Sequence, residues 1–191
     1  MIFSDQLKTI FIHVHRTGGT AITNLFRQHG FDISEEFPQH SNVRTVDNSF
    51  WEKYHDYKIL GFTRNPWARI FSWYTLIHQH IPLSIEAERK RFEEFIENDL
   101  TGDLDQQYFH YNSLDYFTRA NGQQVVNKIL RYERFENEVN ALFREYNIRI
   151  NKIPIINETG RKDYRLYYTP LSLSIITERC KKDIEYFKYS F

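Results

Sequence analysis

The chain has 191 residues, and its 25 basic and 25 acidic side chains give a formal net charge of zero. This balance excludes the strong overall field by which basic proteins bind nucleic acid or an anionic membrane, so any anion site must be local. The single cysteine, Cys180, excludes both a disulfide framework and a cysteine-rich metal site.

The sequence favours one domain over residues 1–191, long enough to bury roughly 70% of the surface of the unfolded chain. It contains no signal-like N-terminal segment and no run of about 18 apolar residues, so we expect no membrane insertion. The lone cysteine favours a reducing compartment, which makes the cytoplasm the expected location. Aromatic residues make up 17% of the chain, and a core built from rings is a better explanation for them than base stacking.

The first predicted unit is a strand, a glycine-containing loop and a helix. The strand covers about Leu7–Val14, the loop R-T-G-G-T covers Arg16–Thr20, and the helix covers about Thr20–His29 before Gly30 ends it. Such a junction directs backbone N–H groups and the positive end of a helix dipole to one point. The pattern therefore predicts a phosphate-binding loop.

The chain then repeats this arrangement. Residues 31–47 show no clean period and are predicted to form a loop over the site, and a short helix is expected near Asn48–His55. A buried strand over Tyr57–Thr63 ends at Arg64-Asn65-Pro66, where Asn65 suits an N-cap and Pro66 the first helical turn. Two strand-to-helix junctions with arginines indicate parallel strands whose carboxyl ends share a ligand crevice.

The remaining elements are mostly helical. A helix is predicted over about Ile85–Asn98, and a partly helical segment follows over Asp105–Arg119, with Gln106, Gln107, Tyr108 and Tyr111 near its start. A strand over Val125–Tyr132 leads to an amphipathic helix with Phe135 and Tyr146 on its apolar face. A polar loop over Asn157–Tyr164 then precedes a last helix, which begins at Thr169-Pro170 and reaches Phe187. The alternation of strands and helices predicts an α/β fold.

Known nucleotide-binding patterns do not describe the loop. The Walker pattern fails because no glycine precedes the loop and no Gly-Lys-Ser/Thr follows, and the dinucleotide pattern fails because only Gly18 and Gly19 are present. No acidic residue follows the loop in the position of a magnesium ligand. A metal-dependent phosphotransferase is therefore disfavoured, since phosphoryl transfer needs metal to neutralise charge.

Two segments together resemble motifs of the sulfotransferases that use 3′-phosphoadenosine 5′-phosphosulfate (PAPS). H-V-H-R-T-G-G-T-A-I at 13–22 resembles H-I-P-K-T-G-G-T-S, and T-R-N-P-W-A-R-I-F-S-W-Y at 63–74 resembles R-N-P-x-x-R-x-x-S-x-Y. The match continues through R-Y-E at 131–133, Asn157 and the closing D-I-E-Y-F-K-Y-S-F, and is closest to the carbohydrate-type branch. The resemblance implies a P-loop-like three-layer sandwich with a central, mainly parallel sheet flanked by helices.

The resemblance also implies a set of residues that bind PAPS. The first loop would hold the 5′-phosphosulfate, and Arg64 and Ser72 would bind the 3′-phosphate. Arg161 and Lys162 resemble a loop that clamps the same phosphate in relatives, although a solvated charged turn explains them equally well. The expected cofactor-binding residues are Arg16, Thr17, Gly18, Gly19, Thr20, Ala21, Arg64, Ser72, Arg161 and Lys162, and no metal ligand is expected.

Two loop positions depart from the motif of the family. Arg16 stands where relatives have lysine, and His15 stands where they have proline. Sulfuryl transfer moves a singly charged group, which backbone amides and one or two cations can stabilise without metal. Arg16 keeps the charge at the leaving oxygen, but an arginine does not act as a proton donor.

Histidine is the residue type best suited to take the proton of an acceptor near neutral pH. We predict His40, between the two motifs, as the base and His15 as the second candidate, with Glu35 and Glu36 also possible. His13 is expected to be structural and His110 is a candidate lining residue of an acceptor pocket. The expected catalytic residues are thus Arg16, His40 and His15.

The sequence therefore predicts a sulfotransferase that moves a sulfuryl group from PAPS to an acceptor hydroxyl, expected on a saccharide, by metal-independent in-line transfer. The alternative is a module of the same fold that binds the nucleotide without catalysis. The acceptor and the oligomeric state are left open by the sequence.

Overall fold

The computed structural model describes residues 1–34, 36–78, 83–98, 102–104, 107–153 and 163–191. The strands are β1 (Ile2–Ser4), β2 (Thr9–Ile12), β3 (Lys58–Thr63), β4 (Gly102–Leu104), β5 (Gln107–Phe109) and β6 (Lys128–Arg131). The helices are α1 (Gly19–Gln28), α2 (Asn48–Lys53), α3 (Pro66–Ile77), α4 (Ile85–Glu97), α5 (Leu114–Phe117), α6 (Phe135–Glu145), α7 (Pro170–Arg179) and α8 (Lys181–Phe187), with short 3-10 turns at 132–134 and 164–167.

The predicted α/β fold is confirmed by a central, mainly parallel sheet. Its strand order is β1-β2-β3-β6, with β2, β3 and β6 parallel and β1 antiparallel at the edge. Side chains alternate across it, so that Ile10 packs with Trp51 of α2 on one face while Phe11 packs with Phe26 of α1 and Phe143 of α6 on the other. Helices on both faces give the expected three layers.

The topology brings three chain segments to one edge of the sheet. Parallel strands β2, β3 and β6 all end there, so the loop after Ile12, Arg64 after β3 and Tyr132 after β6 are neighbours. The two predicted caps that start helices are also present. Asn65 accepts a hydrogen bond from the N–H of Ala68 at the start of α3, and Thr169 forms a capping box at the start of α7.

The first strand is shorter than predicted, and the edge strand β1 was not predicted at all. Leu7 and Lys8 lie in the turn between β1 and β2, with the N–H of Lys8 bonded to the carbonyl of Asp5. A three-residue strand is too short to show alternation in a sequence. Its position is fixed by pairing with β2, where Ile2 lies opposite Phe11.

The prediction for Asp105–Arg119 was wrong about where the helix begins. Gln107–Phe109 is a strand that pairs antiparallel with β4, and the helix covers only Leu114–Phe117. The start of α5 is fixed by a side chain distant in sequence, because the buried Asp183 carboxylate accepts hydrogen bonds from the backbone N–H groups of Ser113 and Leu114. Local spacing contains no sign of that contact.

The predicted last helix is in fact two helices, α7 and α8, which meet at Cys180. The side chain of Asn112 holds this break: its amide nitrogen donates to the carbonyl of Arg179 and its oxygen accepts from the N–H of Asp183. One side chain thus satisfies a carbonyl at the end of α7 and an N–H at the start of α8. The apolar period continues through the break, which explains why the sequence suggested one helix.

A buried pair of charges lies between α3, α5 and α8. Arg69 is 0% exposed, and its Nη2 donates to the carbonyl of His110 at 3.0 Å and also to that of Tyr111. Asp183 is also 0% exposed, and burial raises its pKa although the charge of Arg69 opposes this effect. Arg69 is therefore structural.

We expect Asp183→Ala to lower the free energy of unfolding by about 3 kcal/mol, because it leaves one buried and one partly buried backbone N–H group without acceptors. Urea denaturation followed by circular dichroism measures this change. Glu185→Ala, on the exposed side of the same helix, is the matched control and should change stability by less than about 0.5 kcal/mol. Equal losses for the two variants would contradict the role of the Asp183 carboxylate.

Candidate active site

The loop between β2 and α1 has the backbone that the glycine pattern predicted. Gly18, the N-cap of α1, has a φ of 83°, and Arg16 also has a positive φ, of 62°. The hydroxyl of Thr17 donates to the carbonyl of Val14 at 2.9 Å and closes the turn. The chain therefore reverses tightly and starts a helix, so the positive end of the α1 dipole lies at the loop.

The two loop glycines pack against different parts of the molecule. A Cβ on Gly18 would lie 2.6 Å from the Phe135 ring and 3.2 Å from the Tyr132 ring. A Cβ on Gly19 would lie 1.9 Å from the ring of His13. The separations of 2.6 Å and 1.9 Å are shorter than a Cβ atom allows. The rings of Phe135 and His13 therefore fit against the loop only because both positions are glycine.

The second junction contacts the first directly. Nη1 of Arg64 donates to the backbone carbonyl of Arg16 at 3.0 Å, and Nε of Arg16 donates to Oγ of the buried Ser72 at 3.1 Å. The guanidinium of Arg64 also lies 4.3 Å from the centroid of the Tyr132 ring. The structure thus brings together Arg16 and Arg64, as the two strand-to-helix junctions predicted, and Ser72, which only the resemblance implied.

Three histidine rings lie together beside the loop, and those of His15 and His40 are stacked. The ring centroids of His15 and His40 are 3.5 Å apart, and those of His13 and His40 are 4.7 Å apart. All three side chains are buried. The segment before α2 therefore contacts the loop through His40, in agreement with the expectation that residues 31–47 pass over the site.

A hydrogen bond determines which nitrogen of His40 carries the proton. Nδ1 of His40 lies 2.7 Å from the carbonyl oxygen of His13, and since a carbonyl only accepts, Nδ1 holds the proton. Neutral His40 therefore has its lone pair on Nε2. Nδ1 of His15 lies 2.7 Å from the hydroxyl of Tyr116, which also accepts the backbone N–H of His110.

Burial keeps these imidazoles uncharged. It lowers the pKa of His40 to about 4, although the bond to the His13 carbonyl acts in the opposite direction. Burial and the neighbouring His40 together lower the pKa of both His13 and His15 well below the ordinary range. At neutral pH all three rings are neutral, which is the form that accepts a proton.

Several other candidates are located differently. Glu35, Arg161 and Lys162 lie outside the described residues, and Ala21 is buried in the first turn of α1. His110 is buried with its ring edge-on to that of Tyr116. The sequence did not single out Tyr116 as a partner of His15, and no local pattern indicates that contact across 101 positions of the chain.

Within the described ranges, no group of three or more histidine, cysteine, aspartate or glutamate residues is arranged to hold a metal ion. A search for helices long and apolar enough to cross a membrane, over the same parts of the chain, found none.

A family model described as the sulfotransferase family matches residues 1–190. The comparisons with curated proteins and with solved structures found no match to the chain.

The buried histidines predict that the protein loses stability in mild acid. The pKa of His40 is about 4 in the folded chain and about 6.5 when unfolded, so the unfolded state binds the proton more tightly. The stabilisation is complete above pH 6.5 and is lost as the pH falls towards 4. We expect His40 alone to account for a loss of about 2 kcal/mol between pH 7 and pH 5, measured by urea denaturation at each pH.

The control is His40→Asn, whose amide still donates to the carbonyl of His13 but does not titrate. Its free energy of unfolding should fall less over the same interval. The same pH dependence in the variant and the wild type would show that His40 is not the group that titrates.

Proposed function

The chain belongs to the sulfotransferase family, and on this basis we propose that it transfers a sulfuryl group from PAPS to a hydroxyl group of a carbohydrate. The observation that supports this most strongly is the junction of Arg16, Arg64 and Ser72, which places two cations and a buried hydroxyl beside a helix N-terminus. These groups suit a ligand with two separate anionic ends.

The residues present fit such a donor. We assign the 5′-phosphosulfate to the loop from Arg16 to Ala21, where the start of α1 offers backbone N–H donors. Arg64 and Ser72 are assigned to the 3′-phosphate, and the ring of Tyr132 forms a wall beside Arg64. Arg161 and Lys162 are proposed to bind the same phosphate, as the resemblance implies.

Arg16 is proposed to stabilise the leaving group. As the acceptor oxygen forms its bond to sulfur, the bond from sulfur to the bridging oxygen breaks and that oxygen gains negative charge. The guanidinium of Arg16 compensates this charge by hydrogen bonding alone, because a guanidinium does not give up its proton in a protein. No metal is required in this scheme, because the loop amides and Arg16 supply the stabilisation.

His40 is proposed as the general base. The hydrogen bond of Nδ1 to the carbonyl of His13 fixes the ring and leaves the lone pair on Nε2. The acceptor proton would move to Nε2 as the new S–O bond forms. His15 is the second candidate, but its Nδ1 already bonds to Tyr116 and its pKa is lowered still further.

The proposed compartment is the cytoplasm, since the only cysteine, Cys180, is a free and fully buried thiol. A saccharide acceptor rests on the resemblance to the carbohydrate-type branch.

Binding of 3′-phosphoadenosine 5′-phosphate (PAP) and AMP by calorimetry tests the donor site. We expect the wild type to bind PAP at least tenfold more tightly than AMP. Ser72→Ala should weaken PAP by about tenfold and AMP by a smaller factor, because a hydrogen bond to a charged group contributes about 1.5–3 kcal/mol and only PAP carries the 3′-phosphate. Equal binding of PAP and AMP by the wild type would reject the assigned 3′-phosphate site.

Thr75→Ala is the matched control for this measurement. Thr75 lies on the same helix and its hydroxyl bonds to the backbone carbonyl of Ser72, outside the assigned contacts. It should bind both nucleotides as the wild type does.

The replacement of lysine by Arg16 supports one alternative, a module that binds the nucleotide without transferring the group. Arg16→Lys separates the two functions. If the protein is an active enzyme, the wild type transfers labelled sulfate from PAPS at a measurable rate. Arg16→Lys should then change this rate by a smaller factor than Arg16→Ala does. Activity in Arg16→Lys together with none in the wild type would favour the binding module.

A further inference from the structure

A cleft runs along α1 on the side of the loop away from Arg64 and Tyr132. Its volume is about 400 Å³, within the range of roughly 300–1,000 Å³ typical of small-molecule sites. It is lined by Met1, Ile2, His13, Thr20, Thr23, Asn24, Arg27, Phe37 and Gln39.

The sheet topology places this cleft opposite Arg64 and Tyr132. The order β1-β2-β3-β6 puts β2 and its loop between β1 on one side and β3 and β6 on the other. Met1 and Ile2 border the cleft at the β1 side, whereas Arg64 and Tyr132 follow β3 and β6. The loop glycines show the same division, because Gly18 contacts Tyr132 while Gly19 contacts His13, which lines the cleft.

This position is the one that in-line transfer requires of an acceptor. The attacking oxygen must approach sulfur from the side opposite the leaving oxygen, and the nucleotide is assigned to the β3 side of the loop. The loop residue Thr20 lines the cleft, so an occupant of the cleft adjoins the phosphosulfate loop.

The lining suits a hydroxyl-rich molecule. Thr20 and Asn24 are one turn apart on α1, and both residues line the cleft. The amide of Gln39, on the opposite wall, lies 3.2 Å from Nδ1 of His13. Phe37 adds an apolar ring. The hydroxyl groups of a sugar form hydrogen bonds with side-chain hydroxyl and amide groups, and the C–H face of the sugar packs against an aromatic ring.

We propose that this cleft is the acceptor subsite and holds the sugar unit that is sulfated, with Thr20 and Asn24 as direct contacts. The proposal rests on the proposed function. In the step that follows, the acceptor oxygen bonds to sulfur, its proton passes to His40, and PAP leaves with the bridging oxygen on the other side of the loop. His40 adjoins the cleft through His13, the ring centroids being 4.7 Å apart.

A sugar tethered in the cleft tests the proposal before the natural acceptor is identified. Asn24→Cys is treated with a glucosyl methanethiosulfonate, which joins a glucose to the new thiol by a disulfide. Cys180 does not compete, because it is fully buried and burial raises its pKa to about 12. The tether gives the sugar a high effective concentration at the loop, so a weak acceptor is sufficient.

PAPS is then added and the intact mass is recorded. We expect the tethered Asn24→Cys protein to gain one sulfuryl group at least ten times faster than the matched control. The control is Asn140→Cys, an asparagine on α6 that does not line the cleft, carrying the same sugar. Adding His40→Ala to Asn24→Cys should abolish the gain.

Gln39→Cys supplies a second tether from the opposite wall, so the test does not depend on one variant. The cleft assignment would be overturned if neither the sugar on Asn24→Cys nor that on Gln39→Cys is sulfated faster than the sugar on Asn140→Cys, in protein that binds PAP normally. Failure of the wild type to bind PAP would instead reject the proposed function, so the two failures are distinguishable.

Discussion

The arrangement of the site depends on two hydrogen bonds of Arg16, one through its backbone and one through its side chain. Arg64 donates to its carbonyl and its own Nε donates to Ser72, so the loop after β2 and the helix after β3 are held together through one residue. Arg16 has a positive φ, a conformation that costs a non-glycine residue free energy and persists only when its surroundings hold it. The two hydrogen bonds hold Arg16 in this conformation, and they keep the two loops to which the phosphates of PAPS are assigned at one edge of the sheet.

A second constraint is that the protein keeps several polar rings inside the core next to this edge. His15 is bonded to Tyr116 of α5, and α5 starts where Asp183 of α8 binds its N–H groups. The C-terminal helix therefore positions a side chain that orients a histidine of the loop. Hydrogen bonds within this chain of contacts satisfy groups that would be costly to bury alone. The neutral state of the histidines follows from the same burial.

The sequence predicted well those features that local spacing encodes. The loop glycines, the Asn65 cap with Pro66, and the strand at Tyr57–Thr63 lie where the pattern indicated, within a residue or two. Contacts between distant segments were not predictable in this way. The strand at Gln107–Phe109 needs β4 beside it, and the break at Cys180 needs Asn112. The packing of His40 against His13 and His15 depends likewise on the segment before α2, whose sequence has no period of its own.

The arginine at position 16 is better explained by this geometry than by the loop motif alone. A lysine presents one compact charge, so an ammonium group at the leaving oxygen has little reach left for a neighbour. A guanidinium carries its donors on three nitrogens in a fixed fork, and here Nε bonds to Ser72 while the Nη groups lie at the other end of the fork. One side chain is therefore able to join the two assigned phosphate sites and still direct charge at the group that is transferred. On this view the substitution replaces the proton donor of the loop with a rigid connection between its two halves.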